Sequence, residues 1–164
     1  MKTLNIALWI FLFSFQLFAQ DPNWKVYTPA NSGLPVLLLS GVAIDNNDIK
    51  WIVASNSLIK FDWINWEVFD SSNSVIPNGF WNGVITKGGD GNAWIGGFSG
   101  WGEYNVGVVN VSFTPWVVYD TSNSQLAFNY ISGLSPSRDG GVWIISWPGV
   151  LGGPGTLQKI SNSI

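Results

Sequence analysis

The sequence contains no cysteine and no histidine. The first absence excludes disulfides, thiolate nucleophiles and cysteine-ligated zinc. The second excludes histidine-dependent triads and histidine metal sites, so a metal held by this chain alone would be a hard, oxygen-coordinated one such as calcium; neither a metal nor a cofactor is expected. Charge is scarce too: only 10% of residues are charged, with a net charge of -3. That balance offers no basic footprint for DNA or RNA, and nucleic acid is not an expected partner. Long apolar runs are confined to the start of the chain. Met1 to Gln20 places Lys2 ahead of an apolar run from Ile6 to Phe18, then Ala19-Gln20 before the polar Asp21-Pro22. This is the layout of a secretory signal peptide with Ala19 at the cleavage position, and the run is shorter than the roughly 18 to 20 apolar residues that a membrane span prefers. Residues 1–20 are therefore read as a leader, 21–164 as the mature domain, and the location as periplasmic or secreted, with no membrane span.

What is abundant is glycine (19), tryptophan (11) and phenylalanine (10) in a chain that is 46% hydrophobic. Such usage suits short strands joined by tight turns, and an all-β domain is expected. One pattern occurs three times: Asn46–Val53 (NNDIKWIV), Gly88–Gly97 (GGDGNAWIGG) and Ser137–Ile145 (SRDGGVWII), each a polar turn delivering a Trp into an apolar strand. Asp-Gly supplies the turn dihedrals and Trp-Ile fills a half-buried pleated surface. Around this motif lie three copies of an alternating strand, Trp24–Tyr27, Trp66–Phe69 and Trp116–Tyr119, each followed by an Asn-Ser pair (Asn31-Ser32, Asn73-Ser74, Asn123-Ser124) and then a Gly at the same offset (Gly41, Gly83, Gly133). Further strands are expected at Val42–Ile44, Val84–Thr86 and near Leu134, and at Leu58–Phe61, Val108–Val111 and Leu157–Ile160. Four short antiparallel strands in each period of about 40 to 50 residues is the arithmetic of a β-propeller blade. The expected fold is a partial β-propeller of about three four-stranded blades: an outer strand at 24–27, blade one at 40–69, blade two at 82–119 and an incomplete blade three at 131–162. Copies two and three carry a longer loop between their second and third strands.

The order Trp-x-x-Tyr, Asn-Ser-x-Leu-Pro, apolar strand, Asp-Gly-x-x-Trp-Ile-Gly and a closing apolar-Lys-Phe strand resembles the two-component regulator propeller repeats of hybrid histidine kinase sensor ectodomains and secreted bacterial proteins. The resemblance covers Trp24 to Ile160. Asn47-Asp48 replaces Asp-Gly in the first copy, Ala127 replaces Pro in the third, and the Gly after Trp-Ile is kept only as Gly96. The resemblance is to sensor-type propellers, and the role expected of the chain is that of a recognition module, similar in kind, that binds carbohydrate or peptide.

Three blades leave strand edges and apolar faces open, since propellers usually need about four to eight. The strand at Trp24–Tyr27 has no blade of its own and is the type of strand that blade three lacks. Two resolutions follow: the chain is a fragment of a longer propeller, or another propeller chain, such as a second copy in a six-bladed homodimer, completes the ring. For function, the periodic Trp51, Trp94 and Trp143, like Trp24, Trp66 and Trp116, are read as packing between blades. Trp63, Trp81, Trp101 and Trp147 do not follow the repeat, and exposed aromatics on propeller loops suit stacking on sugar rings or gripping peptide side chains. The candidate ligand-binding residues are Trp81, Tyr130, Phe80, Trp101 and Trp147, with Asn73 and Asn123 as orienting hydrogen-bonding groups; a turn-capping role for the Asn-Ser pairs is the competing reading. No catalytic residue is assigned, and a non-enzymatic module is expected. The alternatives are a scaffold or assembly module and a carboxylate-based lyase or hydrolase using Asp70, Asp120 or Glu103.

Overall fold

The structure is a computed structural model that describes residues 24–35, 37–77, 83–98, 105–111, 115–149 and 152–161. Eleven strands and no helix occur among them: β1 (Leu39–Ile44), β2 (Lys50–Ala54), β3 (Ser57–Phe61), β4 (Trp66–Phe69), β5 (Val84–Lys87), β6 (Ala93–Phe98), β7 (Asn105–Val111), β8 (Val117–Tyr119), β9 (Tyr130–Pro136), β10 (Val142–Trp147) and β11 (Thr156–Ile160). They form three antiparallel meanders, in the order β1-β2-β3-β4, β5-β6-β7-β8 and β9-β10-β11. This is the arrangement of a partial all-β propeller, with two complete blades and a third of three strands.

The turn chemistry explains why each blade starts as it does. The β1–β2, β5–β6 and β9–β10 hairpins all need one left-handed residue three positions before the Trp, and Asp48 (φ 61), Gly91 (φ 83) and Gly140 (φ 94) supply it. Asp48 thus adopts the conformation that glycine adopts in the other two copies, which a short polar side chain tolerates. Adjacent hairpins are then stitched together: the Asn46 amide donates to the Gly91 carbonyl (3.0 Å), and the Gly89 and Asp90 amides donate to Gly141 (3.3 Å) and Gly140 (3.1 Å).

Packing between blades uses the periodic residues. One core places Trp51, Val53 and Leu58 of blade one against Ala93, Ile95 and Val109 of blade two. A second sets Trp94 and Val108 of blade two against Ile131, Val142 and Ile144 of blade three. Each large apolar side chain removed from water this way contributes about 1.5–3 kcal/mol, so these two seams hold the blades together. The turn carboxylates fix the indoles inside: Trp51 Nε1 donates to Asp45 (2.9 Å), and Trp94 Nε1 to Asp90 (3.1 and 3.2 Å). Trp143 departs from the expected packing role because no described blade covers its face, and it stays exposed.

Residues 24–28 lie outside every sheet, although their sequence matches β4 and β8. A strand needs a neighbouring backbone to pair with, and none of the described strands stands beside this segment. Tyr27 nevertheless packs edge-on against Trp66 at 5.5 Å, repeating the contact of Phe69 with Trp116 at 4.7 Å one blade later.

Candidate functional site

Because consecutive strands in each blade are antiparallel, the connections alternate between two faces. The hairpins at 45–49, 88–92 and 137–141, with the β3–β4 turn at 62–65, lie on one face. The β2–β3 turn and the segments 70–77 and 120–129 lie on the other, the loop face, which carries Asn73, Asn123, Tyr130 and Trp147 of the predicted ligand residues.

Of those predicted residues, Phe80, Trp81 and Trp101 lie outside the described residues, as does Glu103. Tyr130 and Trp147 are brought together. Tyr130 stacks on Phe98 at 4.1 Å with 13° between the planes, and meets Trp147 edge-on at 4.5 Å. Burial raises the Tyr130 hydroxyl above the usual phenol range, and a hydrogen bond with Trp147 works the other way. The three rings form a ledge beside a shallow depression of about 130 Å³ bordered by Thr121, Asn129 and Pro148. That space is small for a sugar ring, and the rings spend much of their area on one another.

Asn73 and Asn123 close their own turns. The Asn73 amide nitrogen donates to Val68 O (3.0 Å) while its oxygen accepts from Asp70 N (2.9 Å). Asn123 does the same with Val118 (3.0 Å) and Asp120 (2.9 Å). Asn31 repeats the pattern with Val26 and Thr28. The capping geometry leaves each amide only part of its hydrogen-bonding capacity for a ligand.

A larger cleft of about 430 Å³ opens between the outer strands of blades one and two. Its apolar wall is Trp51, Phe69 and Trp116, with the Trp116 ring edge-on to Trp51 at 5.8 Å and to Phe69 at 4.7 Å. Its polar edge carries Asp45, Lys60, Glu67 and Asn73. The β3–β4 register sets Lys60 opposite Glu67, and the two form an ion pair of 3.0 Å in which the ammonium keeps two further hydrogens and the carboxylate a second oxygen. Asp45 is more fully engaged, accepting from Trp51 Nε1 and from the Asn47 (2.8 Å) and Ile49 (3.1 Å) amides. Chemically the cleft offers an aromatic face beside a charged edge.

The periodic Trp51 and Trp116 were assigned to packing alone by the sequence, and their second role as a wall was missed. No signal in the repeat marks this role, and only the seam geometry shows that the two blades part at their outer strands. Trp63, which breaks the repeat, stands at φ 80 in the β3–β4 turn, donates to Asp48 (2.5 Å) and carries the Lys50 ammonium 3.4 Å above its ring. These contacts hold Asp48 below the usual carboxylate range, chiefly through the Trp63 indole and then Lys50. The face of Trp63 is thereby occupied by the chain itself. Among the described residues no three acidic side chains converge where a metal ion could sit.

No family model matches the chain, and no curated protein matches it. Among solved structures, one entitled "Streptogramin B lyase structure" is similar, at 15% identity and a TM-score of 0.42, over 77% of this chain and 41% of that one. The chain therefore spans less than half the length of that structure. That structure is named for an enzyme, and the expectation of a non-enzymatic module is corrected on the chemistry this chain retains. The lack of histidine and cysteine removes particular nucleophiles and bases and leaves carboxylates in place, and a fold does not by itself decide whether chemistry occurs on it.

Proposed function

We propose that this chain is an exported recognition module of the two-component regulator propeller type, taking an oligosaccharide in the cleft between blades one and two. The observation that carries the reading is the cleft itself: about 430 Å³ with Trp51, Phe69 and Trp116 on one side and the Lys60–Glu67 pair on the other. That volume lies in the range of about 300–1,000 Å³ usual for small-ligand sites. A pyranose presents an apolar C–H face and an equatorial rim of hydroxyls. The first stacks on an indole, and the second takes hydrogen bonds from an ammonium and gives them to a carboxylate. The leader supports export, and the order of repeats supports the family.

Tryptophan fluorescence, titrated with neutral, acidic and amino-sugar oligosaccharides, tests this directly because two of the wall residues are indoles. Saturable quenching is expected, abolished in Trp116→Ala and weakened in Glu67→Gln, whose exposed side chain leaves the seam intact. Binding that both variants retain would move the site elsewhere. The loop-face ledge of Phe98, Tyr130 and Trp147 supports a second reading, in which a peptide side chain is gripped there; Trp147→Ala then removes peptide binding and spares the cleft.

A further inference from the structure

Three positions that recur in every blade behave differently in the last. The Trp of the second strand is 5% exposed as Trp51, 0% as Trp94 and 41% as Trp143. Two residues on, Val53 is 0% exposed and its counterpart Ile145 is 50%. In the third strand Leu58 is 1%, Val108 is 0% and Leu157 is 67% exposed. In blades one and two these side chains form the rear face that the next blade covers. At the other end of the array the same asymmetry is reversed. Ile85 and Leu134 are partly buried in the seams, whereas their counterpart Val42, on the front of blade one, is 62% exposed. The two open faces are thus the two halves of the seam already used twice within the chain.

The backbone makes the same statement. Among the described residues the outer edge of β11 pairs with no strand, where β3 and β7 pair with β4 and β8. Residues 24–27, with the sequence of β4 and β8, are unpaired, and Trp24 is 79% exposed. Their turn is preformed, because Asn31 and Ser32 make the bonds that Asn73-Ser74 and Asn123-Ser124 make after β4 and β8.

We propose that two copies of this chain join head to tail into one closed ring, the segment 24–27 of each adding as the fourth strand of blade three in the other. This goes beyond the ligand reading and does not depend on it. The occupant is a second copy because the chain carries both the missing strand and the edge it fits, in one register. Lys159 lies opposite Trp143 as Lys60 lies opposite Trp51, and β4 sets Glu67 against Lys60 and Phe69 against Leu58. By that register Tyr27 meets Leu157, Val26 meets Gln158 and Lys25 meets Lys159 of the other copy. The like charges in the last pair are tolerable because the Asp139 carboxylate already neutralises Lys159. The rear face of Trp143, Ile145 and Leu157 then closes on the front face around Val42. A head-to-tail contact either closes or grows without limit, and a two-copy ring leaves no edge exposed.

Light scattering on the purified chain is expected to give the mass of two copies at all concentrations above the dissociation constant. Val26→Lys should halve that mass with the strand signal in circular dichroism retained. Asp139→Asn, which strips Lys159 of its counter-charge, should weaken association several-fold at low salt. Since the chain has no cysteine, mixing Val26→Cys with Gln158→Cys under oxidation should link the two variants, while either alone should not self-link. A single-copy mass, which would leave the faces for some other chain, overturns the proposal, and so does a mass that keeps rising with concentration or a failure of the mixed cysteine variants to link.

Discussion

Asp45 shows how one side chain can decide a blade's geometry. Its carboxylate accepts three hydrogen bonds, two from turn amides and one from the indole of the buried Trp51. Replacing it with Ala leaves the indole N–H without an acceptor inside the seam, a loss of about 1–3 kcal/mol. Asp45→Ala should therefore lower the urea midpoint of unfolding. Gly91 is constrained differently. It stands at φ 83, and a Cβ there would lie 1.8 Å from the Asn46 side-chain nitrogen. Gly91→Ala should destabilise by more than the roughly 1 kcal/mol that left-handed strain costs by itself, because Asn46, whose amide bonds Gly91, must also move. Chemical denaturation of the two variants side by side checks both.

The β3–β4 turn is an element whose stability follows pH. The Asp62 carboxylate accepts from the Asn65 and Ile64 amides and from the Asn65 side chain, and these bonds, the Asn65 backbone amide foremost, lower its pKa from 3.8 to about 2. A carboxylate depressed in the folded state stabilises fully above its unfolded pKa, and that contribution disappears as pH falls through the folded value. The turn should therefore be unaffected above pH 4 and loosen between about pH 4 and 2. Asp70 and Asp120, held low chiefly by the Ser72 and Ser122 hydroxyls, act in the same sense. Melting temperature followed from pH 5 to 2 should fall for the parent chain and fall less steeply for Asp62→Asn.

At the scale of the whole molecule, cohesion between blades rests on close backbone approach as well as on apolar burial. A Cβ on Gly89 would lie 1.9 Å from the Ser137 carbonyl oxygen, so that position admits no side chain while the hairpins of blades two and three stay joined. Gly89→Ala should part this seam, and amide exchange at Gly89 and Asp90, whose N–H groups bridge to blade three, should accelerate while that of β1–β4 changes little.

Much of this was legible in the sequence because it was written three times. Asp-Gly before Trp-Ile, the Asn-Ser turn and the alternating outer strand are local codes, and repetition fixed their order, their strand count and the all-β class through nearest-neighbour interactions along the chain. The three-stranded last blade could be counted as well. What needed tertiary structure was every property that depends on what stands beside a blade. Trp51 and Trp143 occupy the same place in the motif, yet one is buried and the other exposed, because burial is conferred by a neighbouring sheet and not by the residue. Asn73 and Asn123 carry two readings in the sequence, ligand contact and turn cap, and the structure engages them in their own turns. The cleft beside Trp116 exists only because two twisted sheets touch near the centre of the propeller and diverge at its rim, a separation that no periodicity records.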